Sequence, residues 1–294
     1  MNVSLPLRYT KDISNRLTMK QRLFYEKNGY LVFPGLIPQD VIDECHKRFD
    51  DIIENKVSRD GILVMYDVKD RKSVNKIQYI NQDPIFRHYI EHKNILDVAE
   101  CFTGPNILAI HNMLIAKPPD IGFGSSRHPP HQDLYYMPIR PADRIVAAWT
   151  AMEPCDRENG CLYVAPASHR ADRLYEHSYP LNSDGTINKF YHGIEELSSI
   201  KEWVNLEMQT GDTVFFHPLL IHGSGINKSK RTRRAISCHY SSADCNVLDN
   251  DPIQDTIRNE VLEYAMKKYP GIELTYADIW RFKSSLVRGL RSSF

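Results

Sequence analysis

His131 and Asp133 flank Gln132, His222 follows in a glycine-bearing turn, and Arg233 lies eleven residues beyond it. Residues i and i+2 of an extended segment face the same way, so His131 and Asp133 can grip one ion while Gln132 points elsewhere. A third ligand then has to come from another strand. Of the 12 histidines, His222 is best placed: it ends the apolar run from Phe215 to Ile221 and enters Gly223-Ser224-Gly225, where backbone can approach an ion closely. His217, five residues earlier, would face the other side of a regular strand, although Pro218 interrupts that regularity. Two imidazoles and one carboxylate on one side of a metal leave the opposite side open, as suits ferrous iron that must bind a cosubstrate and dioxygen together. The planar fork of Arg233 could take the remote carboxylate of 2-oxoglutarate bidentately, which a lysine would do less well. These residue types therefore point to a non-haem iron oxygenase. A zinc hydrolase with the same three ligands is the main rival, but it gives no reason for the downstream arginine.

Ligands drawn from distant parts of the chain need a rigid frame. Asn106 to Ala116, Ile145 to Met152, Cys161 to Val164, Thr213 to Phe216 and Ala235 to Tyr240 are short, β-rich and bounded by Pro, Gly or Asp. Strands at such intervals predict a sandwich or jelly roll. The flanks change period. Thr18-Met19-Lys20-Gln21 has the form of a capping box, and its helix should stop at Asn28-Gly29. Tyr30 to Phe33 then reads as a strand, and a helix is expected from Pro38, with Val41, Ile42, Cys45, Phe49, Ile52 and Ile53 recurring at helical spacing. Near the end, Ile257, Val261, Leu262, Ala265 and Met266 form one helical stripe, and Ile279, Trp280, Phe282, Leu286 and Val287 another. The expectation is one domain over residues 1–294, mainly β with flanking helices.

Composition narrows the function classes. Lys+Arg and Asp+Glu both total 37, so no global field draws the chain to nucleic acid or an anionic membrane. No apolar run approaches the roughly 20 residues that span a bilayer. Cys45, Cys101, Cys155, Cys161, Cys238 and Cys245 form no C-x-x-C pair, which predicts buried thiols in a reducing compartment. Hydrophobic residues make up 42% of 294, enough for a sizeable core.

The runs His131-Gln132-Asp133, Ala148 to Glu153, Asn159-Gly160-Cys161-Leu162, Gly211 to Gly225 and Arg234 to His239 closely resemble the phytanoyl-CoA dioxygenase family, and the likeness extends from about Leu17 to the C-terminal helix. The resemblance implies a double-stranded β-helix with Fe(II) held by His131, Asp133 and His222. It implies that Arg233 and Ser224 bind the distal carboxylate of 2-oxoglutarate, with Lys76, Met113 and Trp149 lining its pocket and Gln132 counted among the cosubstrate-binding residues. Read alone, Met113 and Trp149 would pass as core, Lys76 as a solvated charge and Ser224 as a turn residue. The implied reaction is 2-hydroxylation of branched or straight acyl-CoA thioesters in fatty-acid alpha-oxidation, with ascorbate as reductant. A non-CoA small molecule is the alternative substrate. Asp133 favours hydroxylation, since related halogenases replace this carboxylate with a small residue. Dioxygen, the acyl-CoA and a lipid carrier protein are the implied partners. Lys228, Lys230 and Arg231 are candidates for the CoA phosphates, Arg127 and Arg140 further ones. By analogy with the family the location is peroxisomal, although Arg16-Leu17 with Leu23-Phe24 and the end Ser292-Ser293-Phe294 match the import signals only in part, and the cytoplasm is the alternative.

Overall fold

The computed structural model describes residues 7–11, 16–179, 191–248 and 250–290; Ser292-Ser293-Phe294 lie outside them. The expected capping box is present: the Thr18 hydroxyl accepts from Gln21 N–H and the Gln21 side chain answers to Thr18, opening the helix Met19–Asn28. Leu23 and Phe24 fall inside it. Gly29 ends this helix at φ 82°, and a Cβ there would lie 2.5 Å from the His169 ring, so only glycine fits both turn and neighbour. Pro38 caps the next helix, Gln39–Ile53, from outside its first turn.

Two antiparallel sheets face one another. The larger runs Tyr30–Phe33, Thr213–Phe216, Ile145–Ala151, Arg233–Ser242, Ile107–Lys117, Val74–Gln78 and Leu63–Tyr66, with Ser285–Arg288 also paired to Ile107–Lys117. The smaller runs Val204–Leu206, Leu162–Val164, His222–Ser224 and His128–His131. Strand alternation divides the larger sheet's side chains. Ala148, Phe215, Ile236 and Cys238 pack with Ile42, Cys45, Phe49 and Ile52 of the Gln39–Ile53 helix and with Phe86, Tyr89 and Phe102 of the helices Pro84–Ile90 and Lys93–Thr103. Trp149, Val214, Phe216 and Ala235 face inward and meet Leu162, Val164 and Leu206 of the smaller sheet. Burial on both faces explains why Ile145–Ala151 is apolar but for Thr150, whose hydroxyl bonds Tyr89 and Thr213. This is the jelly roll that the strand spacing predicts.

Two local expectations fail. Phe282 is 89% exposed, and the C-terminal helix stops at Lys283, so Leu286 and Val287 lie on a strand paired with Ile107–Lys117 rather than on a helical stripe. The edge beside Ile107 was open, and strand pairing there outweighs a weak helical period. In the preceding helix, Asp255–Lys268, Ile257 and Ala265 are buried while Met266 is exposed. All six cysteines are buried thiols, and among the described residues no helix is long and apolar enough to cross a membrane.

Candidate active site

The smaller sheet aligns His131 and His222 as cross-strand neighbours. His131 is the last residue of its strand, Gln132 remains extended, and Asp133 opens a 3-10 turn. The i, i+2 relation therefore holds. Asp133 Oδ1 lies 3.2 Å from His131 Nε2 and 3.7 Å from His222 Nε2, and the three ligand atoms fall within 4.8 Å of one another. Each ring donates Nδ1–H to a carbonyl two residues earlier, His131 to Pro129 at 2.9 Å and His222 to Leu220 at 3.0 Å. These bonds leave both Nε2 lone pairs for a cation. Burial opposes a charged carboxylate at Asp133, yet the neighbouring His222 and His239, with the hydrogen bond from His239, hold it well below the usual carboxylate range. Burial drives His222 down to about 4 against the pull of Asp133. A neutral His222 imidazole beside an ionised Asp133 carboxylate suits a divalent metal.

Arg233 stands at the other end of the inner wall, 2% exposed. Its Nη2 donates to Gly160 O at 2.8 Å, while among the described residues Nε and Nη1 have no hydrogen-bond partner. Directly across the strand pair is Lys117, also buried, whose ammonium donates to Ser126 O, Ser224 Oγ and Gly225 O at 2.7, 2.9 and 2.6 Å. Burial, then Arg233, pushes the Lys117 ammonium well below its usual range. A buried guanidinium with two unanswered nitrogens is costly unless an anion meets it. Gly160 has to be glycine for this arrangement, since a Cβ at its φ of 79° would sit 2.6 Å from Gly225 O and 2.9 Å from Lys117 Cδ.

Both ends open into one cavity of about 210 Å³. Lys76, Met113, Trp149 and Ser224 line it with the three metal-site residues and Arg233. The Trp149 ring lies 5.3 Å from the Arg233 guanidinium. Lys76 sets its ammonium 4.5 Å over the Tyr191 ring, and burial lowers it to about 8.

Gln132 does not join them. It is wholly buried, donates to Arg173 O and Leu219 O at 3.0 and 2.9 Å, and accepts Tyr175 N–H at 2.8 Å. The alternation that aims its neighbours at the metal turns Gln132 into the packing behind them, so it braces the strand instead of touching cosubstrate. The candidate phosphate residues also lie elsewhere. Arg231 shares a surface depression with Glu153, Asp156 and Glu158, an unfavourable neighbourhood for phosphate. Arg140 is committed to Asp251 at 2.9 Å and to two carbonyls, and Arg127 is exposed outside the cavity lining. His217 lies away from the metal site, 3.5 Å from Asp143.

Sequence reading missed Lys117, His111 and His239, all of which line the cavity. Counting by twos along the strand from Met113 reaches Lys117 and His111, which was the available signal. His239 Nε2 donates to Asp133 Oδ2 at 2.8 Å.

The phytanoyl-CoA dioxygenase family model matches residues 25–235. Phytanoyl-CoA dioxygenase, peroxisomal, of Mus musculus is 48% identical over 294 residues, covering 96% of this chain and 86% of the relative. The probable phytanoyl-CoA dioxygenase of Caenorhabditis elegans is 42% identical, covering 97% of each. Among solved structures, the epimerase SnoN in complex with Fe3+, alpha ketoglutarate (2-oxoglutarate) and nogalamycin RO aligns with a TM-score of 0.58 at 18% identity, covering 79% of this chain and 89% of that one.

Proposed function

The chain belongs to the phytanoyl-CoA dioxygenase family, from which we infer that it is an Fe(II)- and 2-oxoglutarate-dependent oxygenase that hydroxylates C2 of phytanoyl-type acyl-CoA in fatty-acid alpha-oxidation. The observation that carries this reading is the buried Arg233, with Nε and Nη1 unanswered, in the same cavity as the His131, Asp133 and His222 cluster. A dicarboxylate whose near end chelates the metal would set its far carboxylate against that guanidinium.

His131, Asp133 and His222 would hold the iron. Iron held there with 2-oxoglutarate would supply dioxygen activation, and the overall reaction would convert acyl-CoA, 2-oxoglutarate and dioxygen into 2-hydroxyacyl-CoA, succinate and carbon dioxide. The chain's own residues position and exclude. Arg233 and Ser224 take the distal carboxylate, and Lys117 fixes the Ser224 hydroxyl by donating to it. Met113 and Trp149 wall the cosubstrate from solvent, and Lys76 adds positive charge near its other carboxylate. Ascorbate serves as the external reductant that keeps iron ferrous. We take residues 1–294 as one domain, and read its location as peroxisomal by analogy with the mouse relative, with substrate delivered by a lipid carrier protein.

Succinate release from 2-oxoglutarate, under air with Fe(II) and ascorbate, tests the reading. Phytanoyl-CoA should stimulate it, a 2-hydroxyacyl-CoA should form, and His131→Ala should abolish both. Turnover indifferent to acyl-CoA but stimulated by free phytanic acid would retain the oxygenase and replace the substrate. No turnover with any acyl substrate would overturn the reading.

A further inference from the structure

The larger sheet lays out the cavity wall as cross-strand pairs. Arg233 stands opposite Lys117, Ser237 opposite Met113 and His239 opposite His111, and all six line the cavity. At about 3.3 Å per residue, the six steps from Arg233 to His239 span about 20 Å. The cosubstrate anchor and the two histidines therefore occupy opposite ends. Asp133 lies at the histidine end, in contact with His239, so the space around His111 is the half of the cavity that 2-oxoglutarate leaves.

Met137, Ile257, Val261 and Trp280 line the cavity, and the charges of Lys283, Lys76 and Asp133 reach His111 there. The His111 ring stacks on His239 at 5.6 Å and meets Trp280 edge-on at 6.1 Å, and among the described residues neither ring nitrogen has a hydrogen-bond partner. An imidazole in any protonation state carries at least one N–H, and on the half-buried His111 ring that donor is free to meet an acceptor on a ligand in the cavity. A long acyl thioester offers one such group beside its reacting carbon, the thioester carbonyl.

We propose that His111 donates a hydrogen bond to the thioester carbonyl of the acyl-CoA, holding C2 toward the His131, Asp133 and His222 cluster. This rests on the acyl-CoA reading above. The bond would set the position of C2 as well as affinity, because C2 is one bond from the tethered carbonyl carbon. It would also distinguish thioesters from molecules of the same length and branching that lack the carbonyl.

The test compares binding of two ligands to the anaerobic Fe(II)·2-oxoglutarate enzyme by calorimetry: phytanoyl-CoA, and the S-alkyl-CoA thioether with CH2 in place of the carbonyl. Wild type should prefer the thioester by about tenfold. His111→Phe, which keeps the ring stack and the edge contact to Trp280, and His111→Leu should both erase that preference, leave thioether binding unchanged, and leave the visible charge-transfer band with 2-oxoglutarate intact. That band also reports that each variant is folded. A preference that survives in His111→Phe, or an equal loss for both ligands, overturns the proposal. Wild type that binds neither CoA ligand overturns it together with the acyl-CoA reading, an outcome distinct from the first two.

Discussion

The imidazole of His239 donates to Asp133 Oδ2 at 2.8 Å, which leaves Oδ1 as the oxygen near Nε2 of both His131 and His222. One carboxylate oxygen is thus occupied and the other aimed, so a metal there would be gripped at one point and keep adjacent positions open. His239→Leu should weaken metal binding by about 10- to 100-fold, while His239→Gln, which retains an N–H, should recover most of it. Anaerobic calorimetric titration with Fe(II) or Mn(II) measures this. Equal affinity in His239→Leu and wild type would remove His239 from any positioning role.

Arg233 makes the second case. Its Nε and Nη1 are buried with no hydrogen-bond partner among the described residues, and Nη2 gives one N–H to Gly160 O, so its second N–H forms with one of those two nitrogens an edge for a two-pronged carboxylate. Arg233→Lys keeps the charge but loses the fork. At about 1.5–3 kcal/mol for a charge-assisted hydrogen bond, affinity for 2-oxoglutarate should fall roughly 10- to 150-fold. Metal affinity in the absence of cosubstrate should hold. A titration showing unchanged 2-oxoglutarate affinity would refute the assignment.

What could be read before folding was what depends on short range. His131 and Asp133 share a face by strand alternation, the capping box at Thr18 and Gln21 is a local pattern, and Arg233 is conspicuous by its offset from His222. What could not be read depends on register. Lys117 opposite Arg233 and His111 opposite His239 are set by the pairing of Ile107–Lys117 with Arg233–Ser242, which no spacing along the chain encodes. The strand Val74–Gln78 escaped notice because Val-Asn-Lys-Ile-Gln is too polar to announce itself; it forms because Lys76 turns to the cavity and Ile77 to the core.

Gln132 supplies a prediction that separates bracing from binding. Its amide meets Arg173 O, Leu219 O and Tyr175 N–H with no exposure to water. Gln132→Leu fills a similar volume but strands two carbonyls and one N–H, at a cost of about 2–5 kcal/mol of stability. Chemical denaturation should register the loss, while the folded fraction keeps its affinity for 2-oxoglutarate. A variant of normal stability with weakened 2-oxoglutarate binding would return Gln132 to the cosubstrate pocket.

Acid stability follows from two buried histidines away from the metal ligands' own ring nitrogens. Burial lowers both His169 and His177 from 6.5 to about 3. The geometry agrees for His177, whose Nδ1–H donates to Tyr175 O while Nε2 accepts from Gln132 N–H; protonating Nε2 would break that bond. Because the folded values lie below the unfolded ones, the unfolded chain takes up protons first as pH falls. Stability is therefore full above 6.5, declines through the window from 6.5 to about 3, and levels off below it. Each histidine contributes a slope of up to about 1.4 kcal/mol per pH unit. Denaturant midpoints measured across that window should fall steeply for wild type and less steeply for a His169→Gln, His177→Gln double variant. Parallel slopes for the two proteins would show that these rings are protonated in the fold after all.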